Sequence, residues 1–71
     1  MRYLQFRPEG IRFAREMQGL SQPDLAERTG IPQSTISRIE TGNADPRLSW
    51  IVALCDALQI PITHVVAWVE K

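Results

Sequence analysis

Apolar residues in this chain recur at intervals of three and four between closely spaced glycines and prolines, which is the spacing of short helices with one dry face. Breaks at Gly10, Gly19, Gly30, Pro32, Gly42, Pro46 and Pro61 divide the sequence into helical pieces rather than strands. Ile11, Ala14 and Met17 are predicted to share a face over residues 8–18, with Leu20 closing the turn. Ser21, Pro23 and Asp24 then supply a Ser-x-x-acid capping box with proline in the first turn, opening a second helix to about Thr29. Gly30 suits the left-handed residue that ends it. A third helix follows after only Ile31 and Pro32. Asp45 and Pro46 read as the N-cap and first residue of a fourth, with Leu48, Ile51, Leu54, Cys55 and Leu58 as its apolar stripe. A fifth is predicted from Pro61 to about Val69. Residues 1–7 put Leu4 and Phe6 on one side if extended, so they read as a short strand or packed arm. The expectation is an all-α fold: a single domain over residues 1–71, with an N-terminal arm at 1–7 and a helical core at 8–69.

Length limits what this core can do, since 71 residues stand near the lower limit for folding without staples. The single cysteine, Cys55, lies in an apolar run and cannot close an internal disulfide, which fits a reducing, cytoplasmic setting and a buried small side chain. No His/Cys cluster has metal-ligand spacing, so neither metal nor cofactor is expected. The start MRYLQFRPEG lacks the apolar stretch of a signal peptide. Residues 50–69 hold 15 apolar residues of 20, but Asp56, Gln59, Pro61 and His64 interrupt them where lipid would penalise polar groups, so packed helices are expected rather than a membrane span.

Formal charge is zero, with 8 basic and 8 acidic side chains, which argues against a protein that binds phosphate by bulk attraction. Residues 1–49 nevertheless carry seven arginines against six acids. Arginine suits bidentate contacts more than diffuse attraction.

The segment QSTISRIETG shows where such contacts would be made. On a helix turning about 100° per residue from Gln33, Ser37 falls near 40°, Ser34 near 100° and Arg38 near 140°, while Ile39 and Ile36 fall near 240° and 300°. One side is dry. The other is short, polar and rich in donors and acceptors, unlike the Lys and Glu pairs of an ordinary solvated face. Gln pairs bidentately with adenine, Arg grips guanine, and Ser or Thr reaches bases or phosphates, so these side chains suit the floor of a major groove. An idle solvent face is the bland alternative. The turn through Gly30 into this helix has helix-turn-helix spacing.

The segments GLSQPDLAERTGIP and STISRIETG, in this order and spacing, resemble the lambda-repressor and Cro-like family, also called the xenobiotic response element type. The resemblance covers residues 9–66 and implies a compact five-helix DNA-binding domain. It implies that Gln22 contacts a phosphate and buttresses the recognition helix, that Gln33, Ser34, Ser37 and Arg38 read bases or touch nearby backbone, and that Thr35, Asn43 and Arg47 belong to the same DNA-binding set. It also implies a structural ion pair between Arg15 and Glu40. The chain departs from the family at Pro32, where relatives place Ser or Thr, and in residues 42–47, which hold one cation, Arg47, and the acid Asp45. Gln59 stands where a glycine is usual, at a cost of about 1 kcal/mol if its backbone is left-handed.

Trp50, Ile62, Val65, Trp68 and Val69 exceed what a core this size needs and are the expected dimer interface. Two linked reading heads on a palindrome would compensate for sparse phosphate contacts. His64 has no partner in view, and Ser34 and Ser37 have no base arranged beside them, so no enzyme is expected. The leading expectation is a homodimeric, sequence-specific regulator that binds double-stranded DNA and represses by occluding an operator. The alternatives are an antitoxin whose toxin partner docks on residues 3–6, and a protein-interaction module that kept the fold and lost DNA.

Overall fold

The computed structural model describes residues 1–71, folded as four α-helices and a two-stranded antiparallel sheet. In chain order these are β1 (Arg2–Phe6), α1 (Glu9–Met17), α2 (Gln22–Thr29), α3 (Gln33–Glu40), α4 (Leu48–Leu58), a 3-10 turn (Ile62–His64) and β2 (Val66–Glu70). None of the helices is long and apolar enough to cross a membrane.

Local signals fix α2 and its flanks. The Ser21 hydroxyl accepts from the Asp24 N–H at 3.1 Å while the Asp24 carboxylate accepts from the Ser21 N–H at 2.9 Å, so two otherwise orphaned donors are satisfied reciprocally. Gly30 adopts φ 75°, ending α2 and turning the chain toward α3 within two residues. Thr29 secures this corner, donating to the Leu25 carbonyl at 2.8 Å and accepting from the Ile31 N–H at 3.2 Å.

The helices close around one core. Ile11 and Ala14 of α1, Leu25 of α2, Ile36 and Ile39 of α3, and Ile51, Leu54, Cys55 and Leu58 of α4 meet Ile31 and Val65 there. Burial pushes the Cys55 thiol pKa up. The Gln18 side-chain amide ties α1 to the end of α4 by donating to the Leu58 carbonyl at 2.6 Å. Gly10 allows α1 to approach the last turn: a Cβ there would collide with the His64 carbonyl oxygen.

Several expectations change. The fifth helix is replaced by the 3-10 turn and β2, because Val65, Val66, Trp68 and Val69 are β-branched or aromatic and residues 2–6 offer them a partner strand. The fold is therefore mostly helical rather than all-α. Helix α4 starts at Leu48, two residues after the expected proline, with Arg47 still extended at ψ 150°; Asp45 does not cap it. Met17 leaves the core, because successive steps of three each fall about 60° short of a full turn and carry it about 120° from Ile11. It is 72% exposed, and Leu48 is likewise exposed at the start of α4. Gln59 is left-handed as its position suggested, with φ 56° and ψ 42°.

Candidate nucleic-acid interface

Helix α3 presents its two faces as the wheel requires. Ile36 and Ile39 are fully buried, whereas Gln33, Ser34 and Arg38 are exposed and Thr35 and Ser37 half-buried. The ion pairs of the chain are Arg2–Glu70, Arg12–Glu16 and Arg15–Glu40, so Arg38 keeps its guanidinium free. The polar side is thus rigidly backed and open to solvent.

The orientation of that face is set at the far end of α3. Glu40 is a buried carboxylate in the last helical turn, where the macrodipole disfavours negative charge. Three donors compensate it: Arg15 Nε to Oε2 at 2.8 Å, Arg15 Nη2 to Oε1 at 3.0 Å, and Gln22 Nε2 to Oε1 at 3.1 Å. Arg15 also donates through Nη1 to the Leu20 carbonyl at 2.8 Å, and its pKa is raised chiefly by its hydrogen bond to Glu40. These contacts join α1, the turn before α2, α2 itself and α3 through three side chains, Arg15, Gln22 and Glu40. Gln22 therefore has its buttressing contact, and as a half-buried residue it retains some surface.

Residues after α3 are tied back onto it. Thr41 donates to the Ser37 carbonyl at 3.0 Å, Asn43 N–H donates to the Arg38 carbonyl at 2.8 Å, and the Asn43 amide donates to the Thr41 hydroxyl at 3.1 Å. Gly42, at φ 77°, makes this tight return possible. Asn43 and Arg47 are both exposed, and the Arg47 guanidinium carbon lies 5.4 Å from the centroid of the Trp50 ring. That stacking was not evident from the sequence. Its only signal was an i, i+3 spacing of arginine and tryptophan.

The expected dimer surface is dispersed. Val65 is fully buried and belongs to the core of its own chain, because the residue after the 3-10 turn points inward under α1; it offers nothing to a partner. Trp50 packs partly on the core, Val69 is half-buried in β2, and Ile62 and Trp68 are exposed. His64 is exposed at the 3-10 turn, apart from the α3 face.

Comparison with known proteins agrees with this geometry. The helix-turn-helix family model HTH_3 matches residues 11–65. An uncharacterized HTH-type transcriptional regulator of Sinorhizobium fredii, y4dL, is 44% identical over 52 residues, which are 73% of this chain and 26% of that protein. This chain thus spans about a quarter of that relative's length. The restriction-modification controller protein C.AhdI of Aeromonas hydrophila superposes with a TM-score of 0.77 and 32% identity over 80% of this chain and 86% of its own. The P22 c2 repressor, solved in complex with a synthetic operator, gives a TM-score of 0.76 and 28% identity, covering 84% of this chain and 91% of that one. The buried back of α3, its open polar front and the match over residues 11–65 agree, and the chain belongs to the helix-turn-helix family of the lambda-repressor and Cro-like type.

Proposed function

We propose that the chain is a sequence-specific DNA-binding regulator that binds as a homodimer and represses by occupying a palindromic operator. The observation that carries this reading is the exposed polar face of α3, held against the core by buried Ile36 and Ile39. In this reading α3 lies in the major groove, with Gln33 and Arg38 on adenine and guanine edges and Ser34, Thr35 and Ser37 on bases or adjacent phosphates. Gln22, Asn43 and Arg47 contact the backbone on either side and fix the register. The operator in the P22 c2 repressor complex and the controller role named for C.AhdI support it by likeness of fold.

Zero formal charge leaves few phosphate contacts per head, so two heads acting together supply the affinity that one lacks. Exposed Trp68 and Ile62 are the apolar surface for that association. The same neutrality favours a second reading, a protein-interaction module of this fold with no affinity for DNA.

Titration of labelled duplexes at two salt concentrations separates them. A DNA-binding chain loses affinity several-fold or more as salt rises, because phosphate contacts release counterions. No binding even at low salt would overturn the proposal and favour the module.

A further inference from the structure

The sheet formed by the two ends of the chain is only half covered. Its register pairs Arg2 with Glu70, Leu4 with Trp68 and Phe6 with Val66, and these six side chains share one face because strand residues alternate. At its root, Phe6 and Val66 pack against the core. Farther out, Leu4 and Trp68 are each 59% exposed. Two strands alone are marginal in water, whereas three or more with an apolar face sustain themselves.

The edges differ. Residues 1–5 are all exposed, while Val66, Ala67 and Val69 of β2 are half-buried, so the outer edge of β1 is the open one. Met1 and Lys71 exchange both backbone hydrogen bonds, at 2.9 and 3.4 Å, and Arg7 N–H bonds the Val65 carbonyl. Alternation along an antiparallel ladder then turns the N–H and C=O of Arg2, Leu4 and Phe6 away from β2, toward that open edge. The strand RYLQF has no proline, no lysine and no bulge, and its one charged side chain, Arg2, turns back onto β2, to Glu70 at 3.9 Å and over the Trp68 ring.

We propose that this edge pairs with the same edge of a second copy, antiparallel about a two-fold axis at Leu4, giving a four-stranded sheet in the order β2, β1, β1, β2. The register is self-complementary. Leu4 meets Leu4 of the partner subunit as a hydrogen-bonded pair, and Arg2 falls opposite Phe6 of the partner subunit, so within residues 2–6 no like charges oppose; only at the ends of the register does the Met1 ammonium face an arginine, at position 7. On one face the row becomes Trp68, Leu4, Leu4 and Trp68, an apolar strip across four strands made from residues that are more than half exposed in one chain, with the Arg2 guanidinium carbon 4.7 Å from the Trp68 ring centroid. Zero formal charge leaves no long-range repulsion between copies. This deepens the homodimer of the preceding reading by naming its contact, and it is tested without DNA.

The test is sedimentation of the full chain with Leu4→Lys and with Leu4→Glu, each alone and in equimolar mixture, with the far-UV spectrum verifying the helices. Wild type is expected at twice the 8.1 kDa chain mass. Each variant alone is expected to dissociate at least tenfold more readily, since like charges then face each other across the axis, and the mixture is expected to recover the dimer. If either charge prevents folding, Leu4→Cys replaces them: a hydrogen-bonded antiparallel pair holds its Cα atoms about 5.5 Å apart, within disulfide reach. Mild oxidation should then cross-link it, whereas Gln5→Cys should not, because position 5 faces position 3; buried Cys55 does not compete. A monomeric wild type, variants that dimerise unchanged, a mixture that stays monomeric, or no Leu4→Cys cross-link would overturn the proposal. A chain that binds duplex as a monomer would overturn this contact while leaving the α3 face intact; a dimer that binds no duplex would do the reverse.

Discussion

Arg15 and Glu40 stand 25 positions apart in the chain and meet as a bidentate pair at 2.8 and 3.0 Å, with side chains only 12% and 2% exposed. Because Gln22 shares the same carboxylate, the pair fixes how α3 is held against α1 and α2, and hence where the polar face points. Removing one partner strands a buried charge, at about 3–5 kcal/mol, whereas replacing both with apolar residues of similar volume often costs little. Glu40→Ala or Arg15→Ala should therefore unfold most of the population of so small a domain in urea titrations. Arg15→Met with Glu40→Leu should recover much of the stability. Equal losses in the single and double variants would show that the pair is not the origin of the effect.

Arg38→Ala and Gln33→Ala remove exposed side chains and should leave the helical spectrum unchanged. If they read bases, each should weaken binding to a selected operator by about 1–3 kcal/mol, measured by fluorescence anisotropy, and relax preference at one base pair. Uniform weakening across all sequences would reassign them to the DNA backbone.

Gln59 holds a left-handed conformation that glycine adopts without steric cost. Gln59→Gly should stabilise the domain by about 1 kcal/mol, raising Tm by roughly 4–8 °C for a chain of this size. An unchanged or lower Tm by calorimetry would mean that the Gln59 side chain contributes more than its backbone costs.

The α2 cap should appear in the pH dependence of stability. Hydrogen bonds from the Ser21 backbone and then its side chain hold the Asp24 pKa below the ordinary aspartate value. A depressed folded pKa gives stability that is fully present above the unfolded value, about 3.9, and is lost as pH falls through the lowered one. Asp24→Asn should flatten that acid limb in thermal melts, and Ser21→Ala should cost about 1 kcal/mol at neutral pH. An acid limb identical to wild type in Asp24→Asn would contradict the assignment.

What the sequence made legible was what neighbours in the chain decide. Ser21 and Asp24 cap α2 within three residues, Gly30 turns within one, and the wheel of residues 33–40 sorts wet from dry with no knowledge of the rest. The pairing of Arg2 with Glu70 joins residues at opposite ends of the chain, and the apolar run over residues 65–69 satisfies either a buried helix or a strand until that partner is placed. Val65 departs from the expected dimer surface for the same reason: its burial depends on Gly10 letting α1 approach the 3-10 turn. The later α4 start has a local cause. Pro46 biases Asp45 away from helical geometry, and Arg47 stays extended, so the cap signal was followed by two residues of non-helical chain.

The central claim is that the outer face of α3 distinguishes base sequence, and selection of bound duplexes from a random pool followed by competition at fixed salt tests it most directly. The expected result is a recurring two-fold-symmetric motif bound at least tenfold more tightly than its scrambled form, with the preference reduced by Arg38→Ala. Enrichment of no motif, or equal affinity for selected and scrambled duplexes, would contradict it.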